Sequence, residues 1–184
     1  MKRAETALST VVPYLLILLV AGLRLTVQHP ANFIPIFSVL LYFGAVRRRR
    51  ETIVPLIGLI AMDAFLTTQH YGYALSVDHA VTWIWYGAAL LLGGALLSQA
   101  SPWRAAATSL STAVGFFVVS NFAVWALWQM YPRTGSGLVA CYVAALPFFR
   151  NSAIAEVLSS VALFALAGIG RTQPSLARAH GVCQ

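Results

Sequence analysis

The feature that most constrains this chain is a series of apolar runs, each near the length of a membrane crossing, with arginines gathered in the gaps between them. Helical spans are expected at 8–27, 32–46, 52–68, 81–97, 105–130 and 147–169, because an α-helix needs about 20 mostly apolar residues to cross a hydrocarbon core. The composition leaves little choice of solvent. Hydrophobic residues make up 59% of the 184 positions and charged residues 9%, whereas a soluble domain carries about 25% charged residues. The expected fold is an all-α integral membrane protein: a single six-helix domain over 1–184 with a tail from 171. Two runs are irregular. The one at 32–46 is short, and the stretch 137–169 is too long for one span. Proline removes a helix hydrogen bond and clashes with the preceding turn, so Pro147 suggests a broken or re-entrant outer segment over 138–147 ahead of the last span.

The basic residues give the orientation. With the N-terminus inside, Lys2, Arg3, Arg47, Arg48, Arg49, Arg50, Arg104, Arg171 and Arg178 all fall on the cytoplasmic side, and only Arg24, Arg133 and Arg150 fall outside. That asymmetry predicts a multi-pass protein of a bacterial cytoplasmic (inner) membrane with both termini cytoplasmic. The formal charge of +7 therefore belongs to loops beside the bilayer; it forms no stripe on a globular surface, and no nucleic-acid partner is expected. The first run has the polarity of a secretory signal, but "VAGLRLT" offers no convincing cleavage site, so it is expected to be retained as a span. Cys141 and Cys183 fall on opposite sides, which excludes a disulfide between them.

Polar residues inside the runs are the candidates for function. A charge at the bilayer centre costs about 2.5–3.5 kcal/mol on insertion scales, so such residues face a bundle interior and pair. Asp63 and Arg150 are expected at similar outer depth and as partners, either as a bridge between helices or as lining of an outward-facing pocket. Arg24, a turn from its helix end, is expected to snorkel to the interface. Around the same outer face stand His29 and Asn32 of the first outer loop; His70, Tyr71, Tyr73, Asp78, His79 and Trp83 of the second; Tyr131 and Arg133 of the third; and Asn151 next to Arg150. Each aromatic alone reads equally as an interfacial belt residue. Glu156 lies deeper, as a helix–helix contact or the floor of a pocket. A bis-histidine haem site is disfavoured, since the histidines lie in loops or at span edges. H-E-x-x-H, P-loop and G-x-G-x-x-G patterns are absent. Six short helices without an internal repeat are lean for a self-contained carrier.

The stretch "YVAALPFFRNSAIAEVLSSVALFAL", the span count, the cytoplasmic termini and the outer polar cluster resemble S-components of energy-coupling-factor transporters. His29, Asp63, Tyr86 and Arg150 resemble the polar set of the solitary cobalamin S-components, the BtuM family. The resemblance covers most of the chain in layout, and in detail "LPFFRN" and these scattered residues. It implies a substrate-binding membrane subunit for vitamin uptake, with cobalamin as transported ligand and no intrinsic cofactor, working with a separate ATPase module or alone. Taken with the outer polar and aromatic cluster, the expected binding set is His29, Asn32, Asp63, Tyr71, His79, Trp83, Tyr86, Tyr131, Arg133, Arg150 and Asn151. Two features depart from that pattern. No clear Ala-x-x-x-Ala motif for docking a coupling subunit stands in the first run. The second outer loop, "TTQHYGYALSVDHAVTW", has no cysteine to ligate cobalt; His79, or alternatively His70, is the expected axial ligand, and thiol-based decyanation is not expected. A membrane scaffold whose polar residues only join helices, and an S-component for another micronutrient, stay open.

Overall fold

The computed structural model describes residues 2–25 and 33–171, and the described residues are helical with short connections. Six α-helices follow one another: α1 Lys2–Leu25, α2 Ile36–Val46, α3 Ile53–Phe65, α4 Val77–Leu96, α5 Pro102–Leu127 and α6 Gly135–Arg171. A 3-10 turn, Arg49–Thr52, leads into α3, and a π-helical turn, Leu66–His70, extends it. Four helical stretches are long and apolar enough to cross a membrane: Arg49–His70, Val77–Leu96, Pro102–Leu127 and Gly135–Gly168. Thr10–Leu25 and Ile36–Val46 are shorter apolar helices. Large apolar side chains such as Leu18, Ile84 and Leu158 point outward, a surface suited to hydrocarbon and not to water.

Local signals set the helix ends. Ser101 caps α5 by accepting from the Arg104 amide, with Pro102 in the first turn, where its missing N–H costs nothing. Ser76 and His79 form a capping box at the start of α4. Between α3 and α4, Gly72 adopts φ of 70°, a left-handed conformation that glycine enters without steric cost.

The structure differs from the expected spans in two places. The first is α2. Its 11 residues extend about 16 Å, roughly half a hydrocarbon core, and Phe37, Ser38, Val39, Leu40, Leu41, Phe43 and Gly44 are all buried. α2 is thus a short helix enclosed by its neighbours. Against α4 the two backbones touch: a Cβ on Gly44 would collide with the Leu90 carbonyl, and one on Gly93 with the Leu41 carbonyl. Small residues permit this approach, which replaces side-chain packing with backbone contact.

The second is α6, which runs unbroken for 37 residues with Pro147 inside it; the broken or re-entrant segment is not there. Contacts to α5 hold the helix on both sides of the proline. Phe117 packs on Tyr142 at 5.5 Å and on Phe149 at 4.6 Å between ring centroids, and the Tyr142 hydroxyl donates to the Val118 carbonyl at 2.7 Å. A single lost backbone bond is tolerated where a neighbouring helix fixes the segment.

At the arginine-rich end, Arg47 donates through Nε to Glu51 at 2.7 Å and lies over the Tyr14 ring. Tyr14 donates to the same carboxylate at 2.8 Å. This tie joins α1 to the α2–α3 corner and leaves the opposite end of the bundle to the cavity described next.

Candidate solute-binding site

A cavity of about 580 Å3 opens among the C-terminal ends of α1 and α3, the N-terminal ends of α2 and α4, and the facing middles of α5 and α6. Its position follows from α2. Because that helix is half the usual length, its N-terminus stops inside the bundle, and Ile34, Ile36 and Phe37 form part of the wall.

An N-terminus at that depth exposes amide N–H groups that need acceptors. The residue before the helix is Pro35, which provides no side-chain cap. Glu156, 1% exposed on α6, supplies the acceptor. Its carboxylate receives the Phe37 amide at 2.8 Å and the Ser38 amide at 2.6 Å, the Ser109 hydroxyl at 3.0 Å and the Ser38 hydroxyl. Glu156 thus caps α2 from another helix, placing a negative charge against the positive end of the helix dipole, and it also lines the cavity. Both readings of this residue hold together.

The second polar group sits where α1, α3 and α4 meet. Arg24 donates from one nitrogen to Asp63 Oδ1 at 2.7 Å and from another to the Tyr86 hydroxyl at 2.7 Å. Trp83 Nε1 donates to Asp63 Oδ2 at 3.0 Å. Asp63 is 7% exposed and Tyr86 2%. The carboxylate is therefore engaged on both oxygens, as a buried charge requires. Because the Tyr86 oxygen accepts from Arg24, its own proton is available to a further acceptor. This arrangement corrects two expectations. Asp63 pairs with Arg24 instead of Arg150, which is exposed. Arg24 turns into the bundle instead of snorkelling. Both arginines stand at the outer end of the sequence pattern, and depth alone does not choose between them; the proximity of α1 to α3 does.

His79 reaches the cavity too, in a constrained way. Its Nδ1 accepts from the Ser76 amide at 3.3 Å, and its Nε2 lies 3.2 Å from the Thr67 hydroxyl. Both nitrogens are occupied by the capping of α4 and the tie to the π-helical turn, which leaves no lone pair aimed at an axial metal position.

Of the residues singled out by sequence, Arg24, Asp63, Asp78, His79, Tyr86 and Glu156 line the cavity, and Trp83 supports it through Asp63. Tyr71 and Arg133 are exposed, and they, Tyr131, Arg150 and Asn151 are not part of the wall. His70 packs edge-on against Tyr71, also outside it. His29 and Asn32 lie outside the described residues. The wall adds residues that no motif marked, among them Thr67, Ser120, Ser152 and the rings of Phe116, Phe117 and Phe148. Asn121 is a polar residue inside an apolar run on α5. Its side chain donates to the Phe117 carbonyl at 2.7 Å while lining the cavity.

Residues 4–176 match a family described as a family of unknown function, DUF6580. The chain belongs to DUF6580. No curated protein and no solved structure matches this DUF6580 member. Among its described residues, no three His, Cys, Asp or Glu side chains gather closely enough to hold a metal ion.

Proposed function

We propose that the chain is a multi-pass membrane subunit that binds a small solute for uptake, with six crossings, both termini cytoplasmic and the cavity opening outward. One observation carries the reading: an aromatic-walled cavity of about 580 Å3, with buried charges on its surface, at the end of the bundle opposite the arginines. That volume lies in the range of about 300–1,000 Å3 that encloses a drug-sized ligand. Ionisable groups at membrane depth are costly and mark solute paths by default.

The ligand we assign is smaller than a corrinoid. Cobalamin, with its macrocycle, amide arms and nucleotide tail, exceeds what a cavity of this size encloses, and His79 is engaged at both nitrogens. The resemblance to vitamin S-components supports the class of function; the cavity supports a more compact vitamin or micronutrient. Energising by an ATPase module of the energy-coupling-factor type, or none, belongs to the same proposal.

The test is retention of solute. Protein purified in mild detergent from cells grown in rich medium is denatured, and the released small molecules are measured by mass spectrometry. A near-stoichiometric solute is expected from the wild type and none from Ala145→Trp, which fills the cavity. Cobalamin is the comparison ligand, followed by its visible spectrum in wild type, His79→Ala and His70→Ala. If neither a retained solute nor cobalamin binding is found, the scaffold reading replaces this one.

A further inference from the structure

We infer that the solute is a compact organic cation whose charge sits on a quaternary or ring nitrogen, recognised by the cavity's field and its aromatic faces. This rests on the solute-binding reading above and narrows it to one chemical class.

The charges of the wall come first. Three acidic side chains, Asp63, Asp78 and Glu156, line the cavity with one guanidinium, Arg24, already paired to Asp63. The N-termini of α2 and α4 and the C-termini of α1 and α3 border the same cavity, so their half charges offset one another and the acidic side chains set the sign of the field. An anionic solute would meet repulsion, and a cation completes the balance.

The kind of cation follows from how the carboxylates are used. Glu156 already accepts four hydrogen bonds, from two amides and two hydroxyls. Asp63 is engaged on both oxygens, and Asp78 accepts from the Ser76 hydroxyl. At Glu156 the acceptor sites are filled, so a primary ammonium, which needs three acceptors on leaving water, would compete there with the donors that cap α2. A cation with few or no N–H groups loses nothing. A bare metal ion is equally ill served, because the carboxylates are dispersed around the wall and no three metal-ligating side chains come together among the described residues.

The remaining surface suits the same class. Phe37, Phe116, Phe117, Phe148 and Phe149 line the cavity, with Phe37 and Phe116 edge to face at 5.2 Å and Phe117 against Phe149 at 4.6 Å. Aromatic faces attract a desolvated cation through the ring quadrupole, and quaternary nitrogen is the form best matched to them.

The experiment compares three benzyl probes on the full chain in lipid nanodiscs: benzyltrimethylammonium, its neutral carbon isostere neopentylbenzene, and the anion phenylacetate. Binding is read by equilibrium dialysis, with the Trp83 and Trp85 fluorescence as a second signal. The cation is expected to bind at least tenfold tighter than the neutral isostere, and phenylacetate not to saturate. Asp78→Asn, a partly exposed position remote from the helix core, should reduce the cation's advantage by several-fold without changing the isostere's affinity. Equal affinity for cation and isostere, preference for phenylacetate, or no saturable cation binding overturns the inference. The retained solute and its loss in Ala145→Trp report separately on the site, so the cation assignment can fail while solute binding stands.

Discussion

Removing the Arg24 guanidinium is the sharpest perturbation of this bundle. In Arg24→Met the stem is kept and the charge is lost, so Asp63 retains only Trp83 Nε1 at 3.0 Å and Tyr86 loses its donor at 2.7 Å. Breaking a buried ion pair from one side costs about 3–5 kcal/mol, because the other charge is left uncompensated. Here the Arg24 side chain is 25% exposed and that of Asp63 9%, which places the cost near the lower end, about 3 kcal/mol. At about 2–4 °C per kcal/mol for a chain of this size, the melting temperature should fall by roughly 6–12 °C. The assay is thermal unfolding in detergent followed by tryptophan fluorescence. Asp63→Asn keeps an oxygen for Trp83 and strands Arg24 instead. The double variant Arg24→Met/Asp63→Asn carries no stranded charge and should melt above either single, with a coupling of about 2 kcal/mol, within the range seen for residues in direct contact. Arg150→Met is the control, expected within about 0.5 kcal/mol of wild type as an exposed substitution. Simple addition of the two single effects, or an Arg150→Met loss equal to that of Arg24→Met, would refute the pairing.

Three further outcomes are expected. Glu156→Gln keeps the shape but places an amide nitrogen among the donors at the α2 N-terminus, and should cost about 1–3 kcal/mol for the unsatisfied group; a wild-type melting curve would show that α2 does not depend on this cap. Gly93→Ala drives a methyl into the Leu41 carbonyl and should destabilise by about 1–3 kcal/mol as an overpacked contact. Gly22→Ala, with nothing within 4 Å of the new methyl, should be neutral or stabilising by up to about 1 kcal/mol through helix propensity, and the reverse order of these two melts would contradict the close α2–α4 crossing. Single cysteines at 49, 75, 102 and 135, in a background lacking Cys141 and Cys183, should label with an impermeant maleimide from outside only at 75 and 135; outside labelling at 49 would invert the topology.

The helical class was legible in the sequence because apolar length is a one-dimensional property. A run of membrane length must satisfy its backbone internally, whatever surrounds it, and α3, α4 and α5 fall on the expected runs. Candidate polarity was legible for the same reason: Asp63 and Glu156 stand out in apolar context wherever they end up. Partners were not legible, because pairing is a property of helix neighbours. Arg24 and Arg150 are equivalent by depth, and only the meeting of α1 with α3 gives Asp63 its guanidinium. Pro147 reads as a break along the chain, yet Phe117 bridges Tyr142 and Phe149 across it, so packing on α5 outweighs one missing hydrogen bond. The shortness of α2 was visible as a short run, but its meaning required three dimensions. A half-length helix buried on all sides ends inside the bundle, needs a cap from another helix, and leaves a cavity above its N-terminus. Apolar run length is enough to place the helices, whereas helix packing sets which charges meet and where the bundle is hollow, because those depend on contacts between residues as far apart as Ser38 and Glu156.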